Sequence, residues 1–139
     1  MSPREIREAA DAEEPLRPLF WIASSKNDLR HFPEDVKAVM GFALFQAQQG
    51  GKHIAAKPLK GFGGARVLEI VEDDNGNTFR GIYTVKFAGA VYVLDAFQKK
   101  SKKGNKTPQG DIDRIKQRLK AAEEHYKPWR LAQQKGDKK

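Results

Sequence analysis

RVLEIVEDDNGNTFRGIYTVKFAGAVYVLDAF, residues 66–97, is the stretch that decides the fold. Arg66–Glu72 is rich in aliphatic and β-branched side chains and reads as a strand. It ends at Asp73-Asp74-Asn75-Gly76-Asn77, whose Asn-Gly pair favours a tight hairpin because both residues tolerate positive φ. Thr78–Phe87 then alternates, with Phe79, Gly81, Tyr83, Val85 and Phe87 on one face and Arg80, Ile82, Thr84 and Lys86 on the other. Ala88-Gly89-Ala90 turns the chain into a third strand, Val91–Phe97. Connections this short leave only an antiparallel meander.

Upstream of the meander, Leu19-Phe20-Trp21-Ile22 reads as a first strand. Over Glu34–Gln49, residues Val36, Val39, Met40, Ala43, Leu44 and Ala47 recur at steps of three and four, which predicts a helix stopped by Gly50-Gly51. Phe42 and Phe45 lie off that stripe and are read as a second packing face, the alternative being an exposed partner surface. Downstream, Thr107 can cap a last helix and Pro108 suits its first position, where no amide hydrogen is needed. Asp111 and Asp113 favour its first turn, and Ile112, Ile115, Leu119, Ala122 and Tyr126 form its apolar stripe, with Pro128 as the expected end. The prediction is an α+β domain over residues 17–127, an antiparallel sheet with helices on one side. It is flanked by an acidic arm, 1–16, and a basic tail, 128–139.

Charge separates the function classes. The net charge is +8 with a pI near 9.7, an excess that favours phosphate-rich partners because each Lys or Arg contact releases condensed counterions. The distribution sharpens this: residues 1–14 hold five acids against Arg4 and Arg7, whereas KKSKKGNK, residues 99–106, holds five lysines and no acid. With no cysteine, disulfides, thiolate metal sites and thiol nucleophiles are all excluded, in keeping with a reducing cytoplasm. No apolar run approaches the roughly 18 residues that span a bilayer. The acidic start has no apolar core and does not resemble a signal peptide. Neither a membrane partner nor a cofactor or metal is expected.

Across residues 57–119 a set of motifs follows in order: Lys57-Pro58-Leu59-Lys60-Gly61, Val67-Leu68-Glu69-Ile70, Phe79-Arg80-Gly81-Ile82-Tyr83, Val91-Tyr92-Val93-Leu94, Phe97-Gln98-Lys99-Lys100, Lys106-Thr107-Pro108 and Ile112. In that order they resemble the phage-derived, HigB-like branch of the RelE/ParE toxin superfamily. The resemblance implies a RelE-like, microbial RNase-like sheet carrying N-terminal helices and a C-terminal helix. It implies a type II toxin that cuts mRNA on the ribosome, the ribose 2′-OH attacking the adjacent phosphorus. It also implies neutralisation by a helix-turn-helix antitoxin, with operator DNA bound only through the toxin–antitoxin complex. A ParE-like inhibitor of DNA gyrase, or a catalytically weak basic RNA-binding module, is the alternative on the same scaffold.

Attack at phosphorus builds negative charge that fixed cations stabilise directly. Arg80, Lys99 and Lys100 are therefore the expected catalytic cations, with Lys57 and Lys60 in support. Lys102, Lys103 and Lys106 are expected to hold the RNA backbone. Tyr83 could stack on a base, though its alternating position equally suits the core, and Arg80 could equally pair across strands with Glu69. Of the histidines 31, 53 and 125, His53 is the acid–base candidate because it precedes the Lys57 segment. Two positions depart from the family pattern: Val71 stands where many relatives have Arg, and Asp95 where many have His.

Overall fold

Asn75 and Gly76 adopt φ of 53° and 84°, so the hairpin closes through the expected two-residue turn with Asp74 opposite Asn77. The computed structural model describes residues 15–64, 66–99 and 107–137. In chain order they form β1 (Leu19–Trp21), α1 (Ser25–Arg30), α2 (Glu34–Gln48), β2 (Lys57–Pro58), β3 (Val67–Asp74), β4 (Asn77–Thr84), β5 (Val91–Gln98) and α3 (Gln109–Asp137). The sheet order is β1-β5-β4-β3-β2. This is the expected α+β, RelE-like arrangement.

Two features depart from the expected sheet. First, β1 runs parallel to β5, with Phe20 opposite Tyr92, so the sheet is mixed. No short turn ties β1 to its neighbour, so its direction was free to be set by packing. Second, helices cover both faces. On one side α1 and α2 pack Leu29, Val36, Met40 and Leu44 against Leu68, Ile70, Phe79, Tyr83 and Val93. On the other, α3 packs Ile112, Ile115 and Ala122 against Val67, Ile82, Tyr92 and Leu94. The signal was the unbroken apolar run Val91–Leu94, typical of a strand buried on both faces.

Tight packing explains Gly81 in mid-strand: a Cβ there would meet the Met40 sulfur of α2. Alternation in β4 holds through Thr84, where the strand ends, and Phe87 therefore packs on the α3 side instead of the α2 side. The helix expected to stop at Pro128 continues to Asp137. Proline removes one helix bond, yet the side chains on either side keep the helix docked: Tyr126 lies 5.1 Å from Phe87 and Trp129 lies 5.4 Å from Phe20, between ring centroids. The Thr107 hydroxyl accepts from Arg80, and α3 starts after Pro108. The acidic arm lies outside the described residues apart from residues 15 and 16.

Candidate functional site

Strand β5 carries an irregularity that shapes one end of the sheet. Ile82 faces Asp95 while Tyr83 faces Val93, so Leu94 is an extra residue and the strand bulges there. The bulge turns two consecutive side chains, Leu94 and Asp95, toward α3. Asp95 is 2% exposed and meets two arginines one helical turn apart. Arg114 donates from Nε to its Oδ2 at 2.8 Å, with Nη2 2.7 Å from the same oxygen as an ion pair, and Arg118 donates from Nη1 to Oδ1 at 2.9 Å. Arg114 also donates to Asp111 at 2.8 Å, and Arg118 to the Leu94 carbonyl at 3.0 Å. Burial pulls the Arg114 pKa down, but the hydrogen bonds and charges of Asp95 and Asp111 outweigh it and hold the guanidinium above its ordinary value. Arg114 is thus a permanently charged group in a fixed place, lying over the Phe97 ring at 5.3 Å.

These residues line a cleft of about 670 Å³ between α1 and the start of α3. Phe32, Phe79 and Phe97 supply apolar wall; Lys99, Arg114 and Arg118 supply cations; Asp28, Asp95 and Asp111 supply carboxylates. His31 closes the α1 side. Its Nδ1 lies 2.7 Å from the Asn27 carbonyl oxygen, which can only accept, so Nδ1 is the donor and the tautomer with the lone pair on Nε2 is the one this contact favours. Lys99 is placed by its amide, which donates to the Thr78 carbonyl at 2.7 Å. Lys99 and Thr107, the described residues on either side of positions 100–106, both lie at this end of the sheet.

Several expected residues lie elsewhere. Arg80 is 2% exposed, with Nη1 donating to Glu69 Oε2 at 2.7 Å and to Thr107 Oγ1 at 2.8 Å. The cross-strand partnership is realised. Val71 stands directly opposite Arg80 and is half-exposed, so the family's second arginine position is an apolar surface here. Lys57 is exposed and opposite Glu69, on the Arg80 face; Lys60 is exposed in the loop beyond β2. Tyr83 is 1% exposed on the opposite face, and a ring buried against α2 has no surface to offer a base. Burial pushes its hydroxyl pKa up to about 12.

His53 is also away from the cleft. Its Nδ1 accepts from the Ala55 amide at 3.0 Å, and its ring meets Phe42 edge-on at 5.8 Å. Nδ1 is thereby occupied and the proton sits on Nε2, an arrangement that braces a turn. Lys100, Lys102, Lys103 and Lys106 lie outside the described residues. Sequence reasoning missed Arg114, Arg118 and His31. The two arginines had one signal, their spacing of four on a helix whose stripe faces the sheet.

Among the described residues, no group of three or more His, Asp or Glu side chains could hold a metal ion. Nor, among them, is any helix long and apolar enough to cross a membrane. Neither a curated protein nor a solved structure matches the chain. Residues 27–120, which take in most of α1, all of α2, the strands β2 to β5, and the first turns of α3 that carry Arg114 and Arg118, match the sequence pattern of the phage-derived Gp49-like proteins (DUF891). That match spans more than half of the chain and the entire cleft, so the chain belongs to the Gp49-like phage-derived family, which is associated with the toxins of toxin–antitoxin systems.

Proposed function

We propose that this chain is the toxin of a type II toxin–antitoxin pair of the RelE/HigB kind, an endoribonuclease that cuts mRNA on the ribosome. The observation that carries the reading is the cleft at the end of β5, where a fixed, permanently charged Arg114 and Lys99 stand beside apolar rings. The rings suit an unstacked base and the cations suit the phosphate next to it. In this reading the ribose 2′-OH gives its proton to His31 Nε2 and its oxygen bonds to phosphorus. The P–O5′ bond then breaks, the 5′ oxygen takes up a proton, and a 2′,3′-cyclic phosphate remains. Lys99 and Arg114 stabilise the charge on the non-bridging oxygens. Asp95, set where relatives have histidine, holds the arginines in place, and its charge is spent on them instead of opposing the phosphate.

The partners belong to the same proposal. A helix-turn-helix antitoxin neutralises the chain, and operator DNA is bound only by the complex. The off-stripe rings of α2 supply anchors for it, since Phe42 is 55% and Phe45 is 43% exposed. The test is induction of the chain alone in growing cells with mapping of mRNA 5′ ends. Growth arrest with new ends at discrete positions inside translated regions supports the proposal.

One observation favours a second reading, binding without cleavage in the manner of a ParE-like gyrase inhibitor or a weak RNA-binding module. Arg80, the one arginine within the resemblance motifs, is buried against Glu69. Growth arrest with intact mRNA and defective DNA supercoiling would establish the gyrase alternative. Ribosome association with intact mRNA would establish the binding module.

A further inference from the structure

A second cleft, of about 690 Å³, lies at the other end of the sheet from Lys99, where β3 begins and the turn from β4 to β5 closes. Among the described residues, every charged side chain lining it is a cation: Arg17, Lys52 and Arg66. The first cleft balances its charges with three aspartates; among the described residues, this one has no carboxylate in its wall. Among the described residues, none of the three enters an ion pair. Like charges gathered in a concave surface repel one another, an arrangement favoured once an anion occupies the centre.

The backbone supports this gathering. Arg17 is anchored at both main-chain groups: its amide donates to the Gln48 carbonyl at 2.9 Å, and its carbonyl accepts from Gln48 Nε2 at 2.8 Å. Its guanidinium then lies against the turn after α2, where a Cβ on Gly50 (φ +90°) would stand 3.2 Å from both terminal nitrogens. Only glycine leaves that space and takes that φ without strain. Arg66 has φ 51°, a left-handed conformation uncommon for a non-glycine residue. Its carbonyl is held there by the Thr84 hydroxyl at 3.1 Å. A fourth cation reaches the rim from α3: a Cβ on Gly89 would lie 3.4 Å from Arg130 Nη1.

We infer that this cleft binds phosphate groups, at a site separate from the Lys99–Arg114 cleft. The shared chemistry is a phosphate oxygen facing two or more guanidinium groups. Its source is either the backbone of an RNA strand, which rests on the RNA-directed reading, or a free nucleotide, which does not.

The experiment is amide NMR of the full chain at constant ionic strength, following Gly50, Gly51 and Gly89. Inorganic pyrophosphate is titrated first, then a 2′-O-methyl RNA 12-mer that cannot be cleaved. The titrations are repeated on Arg17→Gln/Arg66→Gln and on a control, Lys26→Gln/Lys120→Gln, which removes two exposed cations elsewhere. Both ligands should shift the three glycine amides in the native chain and in the control, and not in the Arg17/Arg66 variant at unchanged thermal midpoint. The salt slope of RNA binding in that variant should be shallower by about 1.4, two phosphate contacts at roughly 0.7 each. Shifts with pyrophosphate but not RNA would keep the cleft, assign it to a free nucleotide and count against the RNA reading. RNA shifts confined to residues around Lys99 and Arg114, with none from pyrophosphate at the glycines, would overturn the cleft and leave the RNA reading standing. Silence with both ligands overturns it outright, as do equal losses in the control variant.

Discussion

Asp95 and Tyr83 show how differently a buried polar group can be treated in one small fold. Asp95 spends its charge on Arg114 and Arg118, so removing it strands two cations at the interface between sheet and α3. Asp95→Ala should destabilise the chain by about 3 kcal/mol, the scale for breaking a buried pair, as measured by urea unfolding. An unchanged midpoint would mean the network contributes nothing net. Tyr83 is the reverse case: its hydroxyl is buried with no hydrogen-bond partner among the described residues. Tyr83→Phe should therefore be neutral or stabilising by about 1 kcal/mol at pH 7. The pH dependence follows from its pKa, raised by burial from 10.0 to about 12. Between those values the unfolded chain has lost the proton that the folded chain keeps, so stability falls as pH rises. Below the unfolded value there is no effect. The native chain should lose up to about 1.4 kcal/mol per pH unit above pH 10 that the Phe variant does not; parallel alkaline curves for the two would refute the assignment.

At the level of elements, α2 has a core face and a bare one. Val36, Met40, Ala43, Leu44 and Ala47 are buried, whereas Phe42 and Phe45 are exposed, so beyond the edge contact of Phe42 with His53 the second packing face expected of these rings is not formed among the described residues. Replacing both with Ser should change stability by no more than about 0.5 kcal/mol each, the usual range for surface sites. The same change should weaken the complex with the antitoxin proposed as this chain's partner, read by calorimetry. Loss of the fold would show the rings to be core, and full retention of affinity would move the partner to another surface. In α3, Pro128 sits inside a helix that continues for two further turns. Pro128→Ala should stabilise the chain by up to about 3 kcal/mol, seen as a higher thermal midpoint. A lower midpoint would mean that the packing of Tyr126 and Trp129 depends on the bend proline imposes.

For the whole molecule the question is which cations do chemistry and which provide attraction. Lys99→Ala and Arg114→Ala should each lower single-turnover cleavage by about 10²-fold, the scale for losing one donor to a developing oxyanion. Ribosome binding should change little, since most of the +8 charge remains. Lys102→Ala and Lys103→Ala should do the opposite, weakening binding and flattening its salt slope by roughly 0.7–0.9 each while sparing the cleavage step. Equal, salt-dependent losses at all four positions would make the cluster a docking patch only. Arg80 needs a different probe, because Arg80→Ala leaves Glu69 unpaired and tests stability first. Arg80→Lys keeps the charge and loses the fork, and is the more informative change.

The sequence alone determined the elements whose physics is local. The Asn75-Gly76 turn, the alternation of β4 through Thr84 and the stripe of α2 all rest on residues within a few positions of one another, and the antiparallel meander follows from short connections. What the tertiary structure decided involves residues far apart in the chain. The parallel pairing of β1 with β5, the covering of both faces, and the passage of α3 through Pro128 each depend on packing that no local pattern specifies. The candidate site divides along the same line. Lys99 was legible from a run of charge, but Arg114 and Arg118 meet Asp95 across some twenty residues, through a one-residue bulge that local sequence does not announce. Arg80 was correctly placed on its face, yet its burial was set by Glu69 on the next strand and Thr107 beyond the sheet. Periodicity tells which way a side chain points; only the assembled neighbours fix whether water, a carboxylate or a phosphate can reach it.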